Sequence, residues 1–134
     1  MPWTFTPLHF EAYEFECRCG CGAGSMAAAL LLRLDAAREA FGRPIYVTSG
    51  RRCATHNASA AVGGAPQSRH LIGCAADVRP PQGASLSELA ALLALYFSTP
   101  ADEYIVYPSK GIVHVAVSRS LARPQWSGGA IEYR

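Results

Sequence analysis

A histidine and an aspartate, side chains able to bind a metal or move a proton, fall in one short run, Ser68-Arg69-His70-Leu71-Ile72-Gly73-Cys74-Ala75-Ala76-Asp77. His70 and Asp77 are seven residues apart, too far to share a ligand from one helix face. The spacing suits a histidine on a loop and an aspartate on the strand that follows. A third candidate, His114, lies in Ile112-Val113-His114-Val115-Ala116-Val117, where β-branched neighbours predict a strand. Alone, a strand histidine is more often a core residue with a satisfied hydrogen bond than a ligand. Taken with His70 and Asp77 it completes two imidazoles and one carboxylate. That donor set suits Zn2+ and leaves a fourth position for water, as catalytic zinc requires.

The elements that must position these groups follow from periodicity and punctuation. Residues 1–24 are aromatic and irregular, with Trp3, Phe5, Phe10, Tyr13 and Phe15 spaced to plug against a core. From Ser25 to Phe41, apolar residues Ala27, Leu30, Leu31, Leu34, Ala37 and Phe41 recur at helical spacing, while Arg33, Asp35, Arg38 and Glu39 fall mainly on the other side. Ser25 is the expected N-cap and Gly42 the expected stop. Ile45–Thr48 reads as a strand, and Ser49–Gln67 as a long loop of the kind that often carries function. Ala75–Val78 reads as a second strand, ended by Pro80 and Pro81.

Ser85-Leu86-Ser87-Glu88 is a capping box that opens a helix through about Phe97. Tyr104–Tyr107 and Ile112–Val117, joined by Pro108-Ser109-Lys110-Gly111, read as a β-hairpin. The tail, with Pro124, Trp126, Gly128 and Gly129, is expected to fold back irregularly. The whole predicts an α+β fold, a small, mostly antiparallel sheet with two main helices packed on it, as one domain over 1–134.

Composition narrows the function classes. Of 134 residues 50% are hydrophobic, enough for a core, and a net charge of +2 with no basic block argues against a nucleic-acid partner. No run is long enough to insert in a membrane, and the first residues, with no basic start and no continuous apolar run, are not expected to act as a signal peptide. Five cysteines are an odd number, and without a secretory signal they are expected to be mostly reduced. Cys17, Cys19 and Cys21 alternate with other residues, whereas structural zinc sites usually space cysteines by two to four and add a second pair. Packing, or a disulfide with Cys53 or Cys74, is therefore favoured over a zinc knuckle.

Ser68-x-His70-x-x-Gly73-x-Ala75-x-Asp77 resembles the signature of the zinc D-alanyl-D-alanine carboxypeptidases and related murein peptidases, whose fold the hedgehog signalling domain shares. The likeness continues in Phe15-x-Cys17-x-Cys19-Gly20-Cys21-Gly22, Ser49-Gly50-Arg51-Arg52, Asn57, Gly63-Gly64 and Val113-His114-Val115, as in a small single-domain branch. The resemblance implies His70, Asp77 and His114 as zinc ligands. It implies that Arg52 binds a substrate carboxylate or stabilises charge on the peptide carbonyl oxygen. Arg51 replaces the usual tyrosine, so either arginine could face substrate. Ser68 either orders the loop or touches substrate, and Asn57 pins the loop.

Two departures concern the general base. Relatives carry an acid two residues after the strand histidine or three before it, where this chain has Ala116 and Gly111. Glu103, Tyr104 and Tyr107 lie upstream but match no motif position. The leading expectation is a zinc peptidase that hydrolyses peptidoglycan stem peptides or cross-links, as a monomer acting on the cell wall. A phage or prophage lysis or tail-associated protein fits that expectation, staying cytoplasmic until released. The alternatives are a non-catalytic zinc-containing peptidoglycan-binding module and a zinc module built on Cys17, Cys19 and Cys21.

Overall fold

The computed structural model describes residues 3–133, with backbone only for Trp3 and Tyr133. Its centre is a four-stranded antiparallel sheet of β3 (Tyr46–Ser49), β4 (Ala75–Arg79), β6 (Ile112–Ala116) and β5 (Glu103–Tyr107), in that spatial order. Two short ribbons flank it, β1 (Trp3–Phe5) with β8 (Ile131–Tyr133) and β2 (Met26–Ala27) with β7 (Gln125–Trp126). The tail that reads as irregular thus returns to pair with the N-terminal segment.

The period-2 alternation of the strands divides the sheet into two functional faces. Ala76, Val78, Val113 and Val115 are buried in the core, with Val47, Tyr104 and Val106 packed beside them. Their neighbours Asp77, His114, Ile105 and Glu103 necessarily point to the opposite face. Helix α3 (Leu86–Tyr96) lies against β5 and β6, and α1 (Ala28–Phe41) lies against α3. Ser85 caps α3 with the expected reciprocal bond to Glu88, and Gly42 ends α1 in the left-handed conformation. Both main helices of the expected α+β fold are present, together with a short α2 (Ala54–Ala58) inside the long loop. Among the described residues no helix is long and apolar enough to cross a membrane.

Three local expectations need correction. Ser25 does not cap α1, because β2 intervenes. The Ala27 and Ala28 N–H groups instead donate to the carbonyls of Gly73 and Pro124, both at 2.8 Å. Asp35 does not sit on a solvated helix face: it is buried and accepts from the Leu8 and His9 N–H groups at 2.9–3.1 Å. Of the N-terminal aromatics, Phe10 and Phe15 are buried and Phe5 packs on the core, whereas Tyr13 is exposed. Phe15 wedges between Phe10 and Trp126, with ring centroids 5.7 and 6.0 Å away. The side chain of Trp3 lies outside the described residues.

Candidate active site

Strand pairing builds the site before any loop contributes. Asp77 and His114 are direct cross-strand partners on the face turned away from the helices. His70 reaches the same point from a one-turn 3-10 helix, Arg69–Ile72, whose first turn is capped by Ser68 Oγ accepting from the His70 N–H. Gly73 ends that turn with φ of +74°, and a Cβ there would lie 2.7 Å from the Ser25 carbonyl oxygen. Only glycine combines this conformation with so close an approach. The Ser68–Asp77 run therefore delivers its histidine and its aspartate from two different elements.

His70 Nε2, Asp77 Oδ1 and His114 Nδ1 converge, each residue offering one ligand atom within 4.8 Å of the others. Asp77 Oδ1 is 3.3 Å from His70 Nε2 and 2.9 Å from His114 Nδ1. The far side of each imidazole fixes its chemistry. His70 Nδ1 lies 2.7 Å from the Gly50 carbonyl, which can only accept, so Nδ1 carries the proton. In that tautomer Nε2 presents a lone pair. It is buried and makes no hydrogen bond. A buried lone pair facing a carboxylate oxygen calls for a cation between them, and this orphaned nitrogen is what fits the three residues to a metal ion.

His114 Nε2 lies 2.8 Å from Glu103 Oε1. With a carboxylate at each nitrogen the metal-free ring holds both protons. Burial would lower its pKa, but Asp77 and Glu103 outweigh that and raise it. Asp77 is likewise subject to burial, which raises its pKa, yet its hydrogen bond to His114 and the nearby His70 imidazole hold it far below the usual carboxylate range. An ion replacing the Nδ1 proton of His114 would leave the Nε2–H donating to Glu103, the arrangement by which carboxylates orient metal-bound histidines.

Arg52 Nη2 donates to Asp77 Oδ2 at 3.2 Å, leaving Oδ1 for the histidines. Its Nε and Nη1 donate to Ser49 Oγ and Asn57 Oδ1. Asn57 in turn donates to the Ala65 carbonyl at 2.8 Å, which pins the loop. Arg51 does not join this group. Its guanidinium turns to the Ser25 carbonyl and Gln125 Oε1.

The converging groups floor a cleft of about 300 Å³. One wall is the loop from Val62 to Ser68, and the other is the β5–β6 hairpin with Ile105, Tyr107, Lys110 and Ile112. Tyr104 is excluded, since its hydroxyl donates to the Ala90 carbonyl on the core face.

Glu103 is the group that motif reading passed over, and Arg69 Nε stands 3.4 Å from its Oε2. The hairpin register could have found it. Pairing Tyr107 with Ile112 sets Ile105 opposite His114 and Glu103 opposite Ala116, so Glu103 shares His114's face one diagonal away.

No curated protein and no solved structure matches this chain. The family model for Peptidase M15 matches residues 8–116, a span that contains all three converging residues and Glu103. The chain belongs to the Peptidase M15 family, a family of zinc-dependent metallopeptidases.

Proposed function

We propose that this chain is a zinc peptidase that hydrolyses the peptides of peptidoglycan, with His70 Nε2, Asp77 Oδ1 and His114 Nδ1 holding the metal. The observation that carries this reading is the buried, unpartnered Nε2 of His70, aimed at Asp77 and His114. A zinc ion in that position supplies Lewis-acid polarisation of a peptide carbonyl and acidifies water.

The remaining work falls to the chain's own groups. Glu103 is the only carboxylate other than Asp77 that lines the cleft among the described residues. In this reading it accepts the proton of the attacking water at its carboxylate and passes it to the departing amine. Relatives with an acid two positions after the strand histidine would place it at Ala116, and Ala116 pairs directly with Glu103 across the hairpin. The carboxylate has, in effect, moved to the neighbouring strand.

Arg52 orients Asp77 and retains two of its five N–H donors for a carbonyl oxygen or a terminal carboxylate at the cleft. Ser68 serves the loop by capping His70's turn. Arg69 and Lys110 add positive charge, and Ile105, Tyr107 and Ile112 add apolar surface. This lining suits short peptides rich in alanine that end in a carboxylate, the character of peptidoglycan stems. Carboxypeptidase and endopeptidase action both fit an open cleft. His70, Asp77, His114, Arg52 and Glu103 converge within one chain, a placement consistent with the proposed action as a monomer. A wall substrate fits the setting of a phage or prophage lysis or tail-associated protein.

Incubation with defined muropeptides and mass spectrometry of the products tests the reading. Fragments are expected from the zinc-loaded chain, lost with a chelator or in His70→Ala, and restored to the parent by zinc. No cleavage of any of several muropeptide types by zinc-loaded protein would overturn it. That outcome with co-sedimentation on sacculi would favour a non-catalytic wall-binding module, a reading supported by Glu103 being held by both His114 and Arg69.

A further inference from the structure

We propose that Cys17, Cys19, Cys21 and Cys53 form a second metal centre, a tetrathiolate site for zinc that is separate from the histidine–aspartate site. Their four sulfur atoms all lie within 4.8 Å of one another. Cys17 Sγ is 3.4 Å from Cys19 Sγ and 3.8 Å from Cys53 Sγ, and Cys19 Sγ is 3.6 Å from Cys53 Sγ. Four sulfurs at the vertices of a tetrahedron with Zn–S of about 2.3 Å stand roughly 3.8 Å apart. A disulfide would require about 2.05 Å, and all five cysteines are free thiols.

Spacing alone disfavours a zinc knuckle because no second cysteine pair follows in sequence. The fold supplies the missing ligand singly, by bringing Cys53 from the start of α2. The turn that gathers the other three is built for the purpose. Gly20 and Gly22 adopt φ of +84° and +88°, and the Cys17 N–H donates to the Ala23 carbonyl at 2.7 Å.

Two simpler explanations fail. Core packing does not account for the cluster, because Cys19 and Cys21 are exposed. An arginine counter-charge does not either, because Arg18 turns to the carbonyls of Glu14, Glu16, Val47 and Thr48. Backbone N–H groups of Cys53 and His56 do point at Cys17 Sγ and Cys53 Sγ, at 3.5 and 3.4 Å, which favours sulfur as thiolate. The fifth cysteine, Cys74, is buried elsewhere against the Ser118 carbonyl.

The centre would staple the N-terminal turn to the loop that serves the cleft. Cys53 follows Arg52, which holds Asp77, and Gly50 three residues earlier holds His70. The Arg51 N–H already donates to the Phe15 carbonyl at 2.9 Å, so the two segments run side by side. The thiolate centre stands whether or not the cleft proves to be a peptidase.

The test is zinc content and zinc-edge X-ray absorption on protein purified under reductant, together with cobalt substitution. Two ions per chain are expected in the parent and one in His70→Ala, the latter with a sulfur-only shell at about 2.3 Å. Cobalt-loaded His70→Ala should retain the thiolate-to-cobalt charge-transfer bands, and Cys19→Ser should lose them. A zinc-loaded parent with only nitrogen and oxygen neighbours, or a His70→Ala protein that binds no metal, overturns the proposal. The parent measurement decides even where Cys19→Ser does not fold. A parent with one ion and a sulfur-only shell would uphold this centre while refuting the histidine–aspartate site.

Discussion

Replacing Glu103 in two ways separates its two proposed tasks. Glu103→Gln keeps an oxygen that can accept the His114 Nε2–H at the position now 2.8 Å away, but cannot carry a proton between water and the leaving amine. Loss of a general base lowers turnover by roughly 10²–10⁴, or about 2.7–5.4 kcal/mol of barrier. Zinc affinity should change little. Glu103→Ala removes the acceptor as well. Partners of metal-bound histidines contribute about 10–100-fold to affinity. Because the Glu103 side chain is 36% exposed, water can replace it in part, which places the expected loss near tenfold. The assay is turnover on one muropeptide beside zinc affinity by chelator competition. Glu103→Gln turning over at the parental rate would refute the proton role. Glu103→Ala binding zinc as tightly as the parent would refute the orienting role. Adding Ala116→Asp to Glu103→Ala should recover part of the affinity, since the two positions are cross-strand partners.

Arg52→Gln should cost about 10–100-fold in zinc affinity, because Asp77 Oδ2 loses the donor that fixes its rotamer; chelator competition measures it. Asp35→Ala leaves the Leu8 and His9 N–H groups without their charged acceptor and should lower stability by about 2–3 kcal/mol, read as an earlier urea midpoint with unchanged slope. Asp102 pairs with Arg33 at 2.6 Å and accepts from the Thr99 N–H at 2.9 Å. Burial would raise its pKa, but these contacts lower it. Its contribution is therefore complete above the unfolded value of about 3.9 and lost as pH falls through the lower folded value. Asp102→Asn should flatten the decline of the thermal midpoint in that acid window, and an unaltered decline would exclude the pair as its source.

The parts of the molecule set by local physics were readable from the chain. The α3 capping box, the Gly42 stop, the β5–β6 turn and the two-faced strands depend on residues within a few positions of one another. What was not readable depended on distant backbone. Asp35 shares a helical stripe with arginines and a glutamate, and nothing nearby indicates that the N–H groups of residues 8 and 9 will cover it. Ser25 has the chemistry of an N-cap, yet the carbonyls of Gly73 and Pro124 take that place at the start of α1. The Cys17–Cys21 turn carries three sulfurs in sequence, and its fourth arrives only through tertiary packing. Glu103 lay between these cases. No motif marks it, but the register implied by the Pro108–Gly111 turn puts it on His114's face.

The claim that His70, Asp77 and His114 hold the ion that makes this chain a peptidase is tested most directly by restoring zinc to the stripped protein. The readout is cleavage of one muropeptide by the parent and by Asp77→Asn. Neither stripped protein should give product, the parent should give product when zinc is returned, and Asp77→Asn should give none at the same zinc level. Cleavage by the stripped parent, or equal cleavage by zinc-restored Asp77→Asn, would contradict that claim.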